Sequence, residues 1–142
     1  MQKPEKLVLA AIAVITLFVP LVAAQSTKTL EVEITYSGAG TVDSTHQIHL
    51  YLFDTPDISG GAMPIAWNSS SSNGASVKFT GLTDGKVYLV VAYGDYDVTM
   101  GPPPSGTPVA FYAPGDPMPT AIELTEPTTK ISFRFDDSVR MP

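Results

Sequence analysis

Cysteine is absent from this 142-residue chain. Its absence removes any disulfide framework, thiolate zinc site or cysteine nucleophile. It also excludes a lipid anchor of the bacterial lipoprotein kind, which needs a cysteine directly after the export signal. Basic residues are scarce as well, eight Lys and Arg against fourteen Asp and Glu. An acidic surface repels phosphate backbones, and no basic stripe with interleaved aromatics occurs. Nucleic acid is therefore not an expected partner, and anionic membrane surfaces are disfavoured for the same reason. Histidine occurs only at His46 and His49. Three residues apart on a strand, the two point to opposite faces, which prevents joint metal ligation. A serine or threonine triad, which needs a histidine oriented by a carboxylate, has little to draw on. Phosphate-binding glycine loops, zinc spacings and dinucleotide fingerprints are all missing.

Long hydrophobic runs are confined to the start of the chain. Lys3 and Lys6 precede an apolar stretch from Leu7 to Val19, Pro20 ends it, and Val22, Ala23 and Ala24 follow. That is the three-part pattern of a secretory signal peptide, with cleavage expected between Ala24 and Gln25. The competing reading is an uncleaved anchor, because residues 7–24 reach the short end of a spanning helix. Thr16, Pro20 and the cleavage site favour removal. Residues 1–24 are thus read as a signal peptide and residues 25–142 as one exported domain without membrane attachment. The remaining 118 residues carry six basic and thirteen acidic side chains, a net charge near −7. A domain of that size buries a core without covalent staples. Their absence where disulfides are permitted points to a bacterial periplasmic or secreted protein.

What the mature region does contain is alternation with a period of two. Leu30, Val32, Ile34 and Tyr36 share one face, opposite Thr29, Glu31, Glu33 and Thr35. From Gln47 to Phe53 both faces are apolar or aromatic, which predicts a central strand. Val77 and Phe79 make a brief strand, and Val87 to Tyr93 is the most apolar one. Further strands are expected at Val109 to Tyr112, Thr120 to Leu124 and Thr129 to Phe135. Residues 54–74 read as a long connection with a short edge strand at 63–67 and a flexible serine tip at 69–72. Residues 94–107 form a second long loop, stiffened by Pro102, Pro103 and Pro104. About seven short strands with turn signals every ten residues or so predict an all-β, immunoglobulin-like sandwich.

From Phe79 through Gly81, Leu82 and Gly85 to Tyr88, the chain resembles prealbumin-like sandwiches, among them transthyretin-like and collagen-adhesin B-type domains. Leu50 to Asp54 and the later Gly101 and Pro102 are similar to small exported bacterial proteins of that fold whose function is unknown. The resemblance covers roughly residues 30–112 and implies fold far more than activity. Collagen-adhesin-like domains can join first and last strands through an isopeptide bond; Lys28 with Asp136 or Asp137 are the positions here. Transthyretin-like hydrolases are a further reading. Their His/Arg set and Tyr-Arg-Gly-Ser ending are not found in this chain, which closes on Ser138 to Pro142.

Two constellations are candidates for chemistry. Asp95 and Asp97, Asp54 in the first long loop, and Asp136 after the last strand could gather at one end of a sandwich. Hard oxygen ligands from several loops suit calcium, although no complete calcium loop occurs and turn capping explains aspartates equally well. Trp67 and Tyr96, both placed in loops, are the expected exposed contacts for a protein or glycan partner, while Tyr51 and Phe53 are expected to pack under loops or a second sheet. The resulting expectation is a non-enzymatic binding or structural module acting outside the cytoplasm. Its alternative is a calcium-stabilised carbohydrate-binding domain.

Overall fold

The computed structural model describes residues 26–83, 85–115 and 118–142. The expected signal peptide and its cleavage site lie outside them. Eight strands form two sheets: β1 (Lys28–Tyr36), β2 (Gln47–Phe53), β3 (Ala66–Ser70), β4 (Ala75–Leu82), β5 (Gly85–Gly94), β6 (Val109–Phe111), β7 (Ile122–Leu124) and β8 (Thr128–Phe135). The only helical element among the described residues is a single 3-10 turn, Val98–Met100. No described helix is long and apolar enough to cross a membrane.

The smaller sheet runs β4-β1-β8 and the larger β3-β2-β5-β6, with β7 also paired to β5. β1 and β8 are parallel, from Thr29 beside Thr128 to Tyr36 beside Phe135; the other pairs are antiparallel. The core lies between the sheets. From β1 come Leu30, Val32 and Ile34, from β2 Ile48, Leu50 and Leu52, from β5 Leu89 and Val91, all fully buried. Each belongs to a period-two set, so one pleated face supplies the whole contact. β2 and β5 hold central positions, as their apolarity on both faces requires.

The long connection expected over residues 54–74 is interrupted by β3, which is shifted three residues beyond the expected edge strand. Ser69 and Ser70 are ladder residues, opposite His49 and Ile48, rather than a flexible tip. Serine has weak strand propensity, but here its hydroxyls have partners: Ser69 reaches His49 and Ser70 reaches the Ser72 carbonyl. A second difference concerns Lys28, which opens β1, is buried, and donates from Nζ to the Thr125 carbonyl at 3.1 Å. The parallel register sets it beside the start of β8, whereas Asp136 and Asp137 follow that strand's far end. The eight residues of β8, about 26 Å of strand, separate them. The isopeptide pairing is thereby ruled out.

At that far end Tyr36 and Tyr93 stack with ring centroids 4.0 Å apart. The Tyr36 hydroxyl donates to Asp137, whose other oxygen accepts from the Ala39 amide at 3.1 Å. These donors hold the Asp137 carboxyl below its usual range. A Cβ on Gly38 would overlap Asp137 and the Tyr36 ring, and one on Gly40 would overlap Tyr93. The loop after β1 therefore needs glycine to lie this close to the rings.

Candidate functional site

The outer face of the larger sheet holds a second, smaller hydrophobic cluster. Tyr51 and Phe53 from β2, Val90 and Ala92 from β5 and Val109 from β6 form it. Ile58 and Ala62 from residues 54–65 pack on it, as do Tyr96 and Val98 from residues 95–108. Both long loops thus fold back over the sheet, covering the apolar side chains that two-faced strands would otherwise expose.

Directional bonds pin the second loop. The Tyr51 and Tyr96 hydroxyls share a hydrogen bond of 2.8 Å, and the Tyr96 ring lies 4.6 Å from that of His49. Burial, then the Tyr51 hydroxyl, pushes the Tyr96 phenol well above its ordinary value. His49 is itself buried. Its Nε2 lies 3.1 Å from the Gly94 carbonyl and its Nδ1 2.8 Å from Ser69 Oγ. A carbonyl can only accept, so Nε2 carries the proton and the Ser69 hydroxyl donates to Nδ1. Burial pulls the imidazole below its usual value, partly countered by the Gly94 carbonyl and by Asp95. A neutral histidine so placed ties β2, β3 and the end of β5 together. The position a carboxylate takes in a serine triad is occupied here by a main-chain carbonyl.

Tyr96 is therefore no exposed contact: half-buried, it is a clamp between loop and sheet. Trp67 is different. It stands on β3, the terminal strand of its sheet, directly across from Tyr51, and is 55% exposed. Met63 and Ile65, at alternate positions leading into β3, are 79% and 49% exposed, while Pro64 and Ala66 between them are half-buried. All three large apolar side chains are thus open to solvent, Trp67 on β3 and Met63 and Ile65 in the segment that leads into it. Single exposed hydrophobics are ordinary on a surface; a contiguous row of three, ending in tryptophan, is a feature of contact surfaces. Asn68 beside it secures the edge, donating from Nδ2 to the Lys78 carbonyl of β4 at 3.0 Å and accepting from the Ser69 amide at 2.8 Å.

The four aspartates suggested as calcium ligands do not converge. Among the described residues no three His, Cys, Asp or Glu side chains lie close enough to hold a metal ion. Asp97 instead caps the 3-10 turn, accepting from the Thr99 amide at 2.9 Å and its hydroxyl at 2.6 Å. Asp136 accepts from the Ser138 amide at 2.8 Å at the other end of β8. These donors lower both carboxyl pKa values. Asp54 follows β2 and Asp95 follows β5, both exposed.

Sequence reasoning selected Trp67 but missed its neighbours Met63 and Ile65 and the Ser69–His49 pair. The period-two spacing of Met63, Ile65 and Trp67 was available as a signal, obscured by Pro64. Compared with protein-family models, curated proteins and solved structures, the chain matches none.

Proposed function

We propose that this chain is an exported, non-enzymatic β-sandwich module that binds a partner outside the cytoplasm through the edge of its larger sheet. The observation that carries the reading is the exposure of Met63, Ile65 and Trp67 on β3 and the segment that leads into it. Two packed sheets, with first and last strands parallel, support a prealbumin-like arrangement. The signal-like start of the sequence supports export. Site-specific photo-crosslinking tests the surface in the native host. Trp67→p-benzoylphenylalanine is compared with Glu33→p-benzoylphenylalanine on the opposite sheet. Adducts from position 67 alone are expected. Equal yields at both positions, or none at 67, would refute a binding face at β3.

A further inference from the structure

Charge is distributed unevenly over the two sheets. No Lys or Arg occurs at residues 29–77 or 87–129. Of the segments that build and cover the outer face around β3, β2, β3, β6 and the loops 54–65 and 95–108 therefore contain no Lys or Arg, and β5 carries one, Lys86, near its start. They do contain Asp54, Asp57, Asp95 and Asp97, all exposed. Ile58 and Tyr96, chain neighbours of three of these, pack on the outer-face cluster, and Asp95 lies near enough to His49 to influence its protonation. The bases are turned away or paired. Lys78 lies between buried Val77 and Phe79, so it turns away from the core onto the smaller sheet's outer face, opposite Glu31. Lys86 pairs with Glu123 at 3.7 Å. Arg140 touches only the far end of the second loop, at the Gly106 carbonyl, and pairs with Asp137.

Resting on the reading of β3 as a binding edge, we infer that its partner presents an extended, cationic and apolar polypeptide segment. An edge strand recognises extended chains through main-chain groups, with alternate side chains giving specificity. Met63, Ile65 and Trp67 supply apolar contacts spaced two residues apart, and the carboxylates of the two covering loops select positive charge. A second copy of this chain is the wrong occupant. Two such faces would bring like charges together. A neutral glycan would stack on Trp67 but leave the carboxylates without a role.

Trp67 is the only tryptophan, so its emission reports on this surface alone. The full chain is titrated with three tryptophan-free probes: an alternating lysine–valine peptide, an alternating glutamate–valine peptide and a linear β-glucan oligosaccharide. The lysine–valine peptide is expected to blue-shift Trp67, with affinity falling about tenfold between about 20 and about 300 mM NaCl. Combining Asp54→Asn, Asp57→Asn, Asp95→Asn and Asp97→Asn should weaken it about tenfold at low salt. Asparagine retains an oxygen for the Ser59 and Thr99 caps, so the turns survive. Met63→Ser/Ile65→Ser should abolish the shift. A response to the glutamate–valine peptide as strong as to the lysine one, or binding indifferent to salt, would overturn the cationic assignment. A shift with the oligosaccharide alone would overturn it too, while leaving the binding face in place. If no probe moves Trp67, the inference falls; crosslinking from position 67 then decides separately whether the binding face stands.

Discussion

The two faces of the larger sheet are built from the same strands by different means. The inner face presents Leu50, Leu52, Leu89 and Val91, all fully buried against β1, β4, β7 and β8 of the sandwich. Its stabilisation is non-directional, proportional to area removed from water, and needs only the right volume. The outer face presents His49, Tyr51, Phe53, Val90 and Ala92, covered by loops rather than by a sheet. Loops supply less apolar area, and hydrogen bonds from Tyr51 to Tyr96 and from Ser69 through His49 to Gly94 add direction. At β3 that cover ends and Trp67 stands open. The face nearest a sheet is thus committed to stability, and the face under loops is divided between stability and contact.

Substitutions in the two faces should separate these roles. The largest loss is expected from Leu89→Ala, about 2–5 kcal/mol in urea unfolding, because a fully buried side chain leaves a cavity between two sheets. An unchanged midpoint would mean that β5 is not at the centre. Tyr96→Phe should cost only about 1 kcal/mol, the net value of one hydrogen bond, and should raise amide exchange in residues 95–107 while sparing β1. Exchange rising equally everywhere would show that the loop is no separate unit.

Acidification gives a third separation. Burial depresses the folded-state pKa of His49, so the unfolded chain takes up that proton first. Its stabilisation is present above about pH 6.5 and is lost as pH falls through the lower folded value. The unfolding midpoint should therefore decline from pH 7.5 to 5, and His49→Gln should flatten the decline. A variant with the wild-type slope would assign the effect elsewhere. The smallest change in stability is expected at the exposed indole of β3, where Trp67→Ala should move the midpoint by no more than about 0.5 kcal/mol. A large loss would make Trp67 a core residue of the outer cluster.

The inner core was legible in the sequence because period-two alternation at Leu30, Val32 and Ile34, or Leu50 and Leu52, maps directly onto a buried pleated face. Tyr51, Phe53 and Val90 were equally legible as a second apolar face. What covers that face was not, since a loop contacts the sheet through isolated residues such as Ile58 and Tyr96 that carry no period. Tyr96 was expected to be an exposed contact for this reason. Ser69 and Ser70 were assigned to a mobile tip because serine carries a turn preference, and the long-range bonds that hold them in β3 leave no local trace. The lack of Lys and Arg in β2, β3 and the loop between them was visible throughout, yet charge acquires meaning only once the topology sets these segments in one sheet.

Collisional quenching of Trp67 tests most directly whether an open apolar row stands in an acidic field. In the absence of local charge, caesium and iodide ions quench an exposed indole in the ratio they show with the free indole, so a departure from that ratio reads the potential at the surface. With Trp67 exposed on a face whose covering loops carry Asp54, Asp57, Asp95 and Asp97, the caesium-to-iodide ratio should exceed that of free N-acetyltryptophanamide, and the excess should collapse at high salt. Quenching by neither ion would place Trp67 in the interior, and a caesium-to-iodide ratio at or below that of the free indole at low salt would contradict the acidic binding edge.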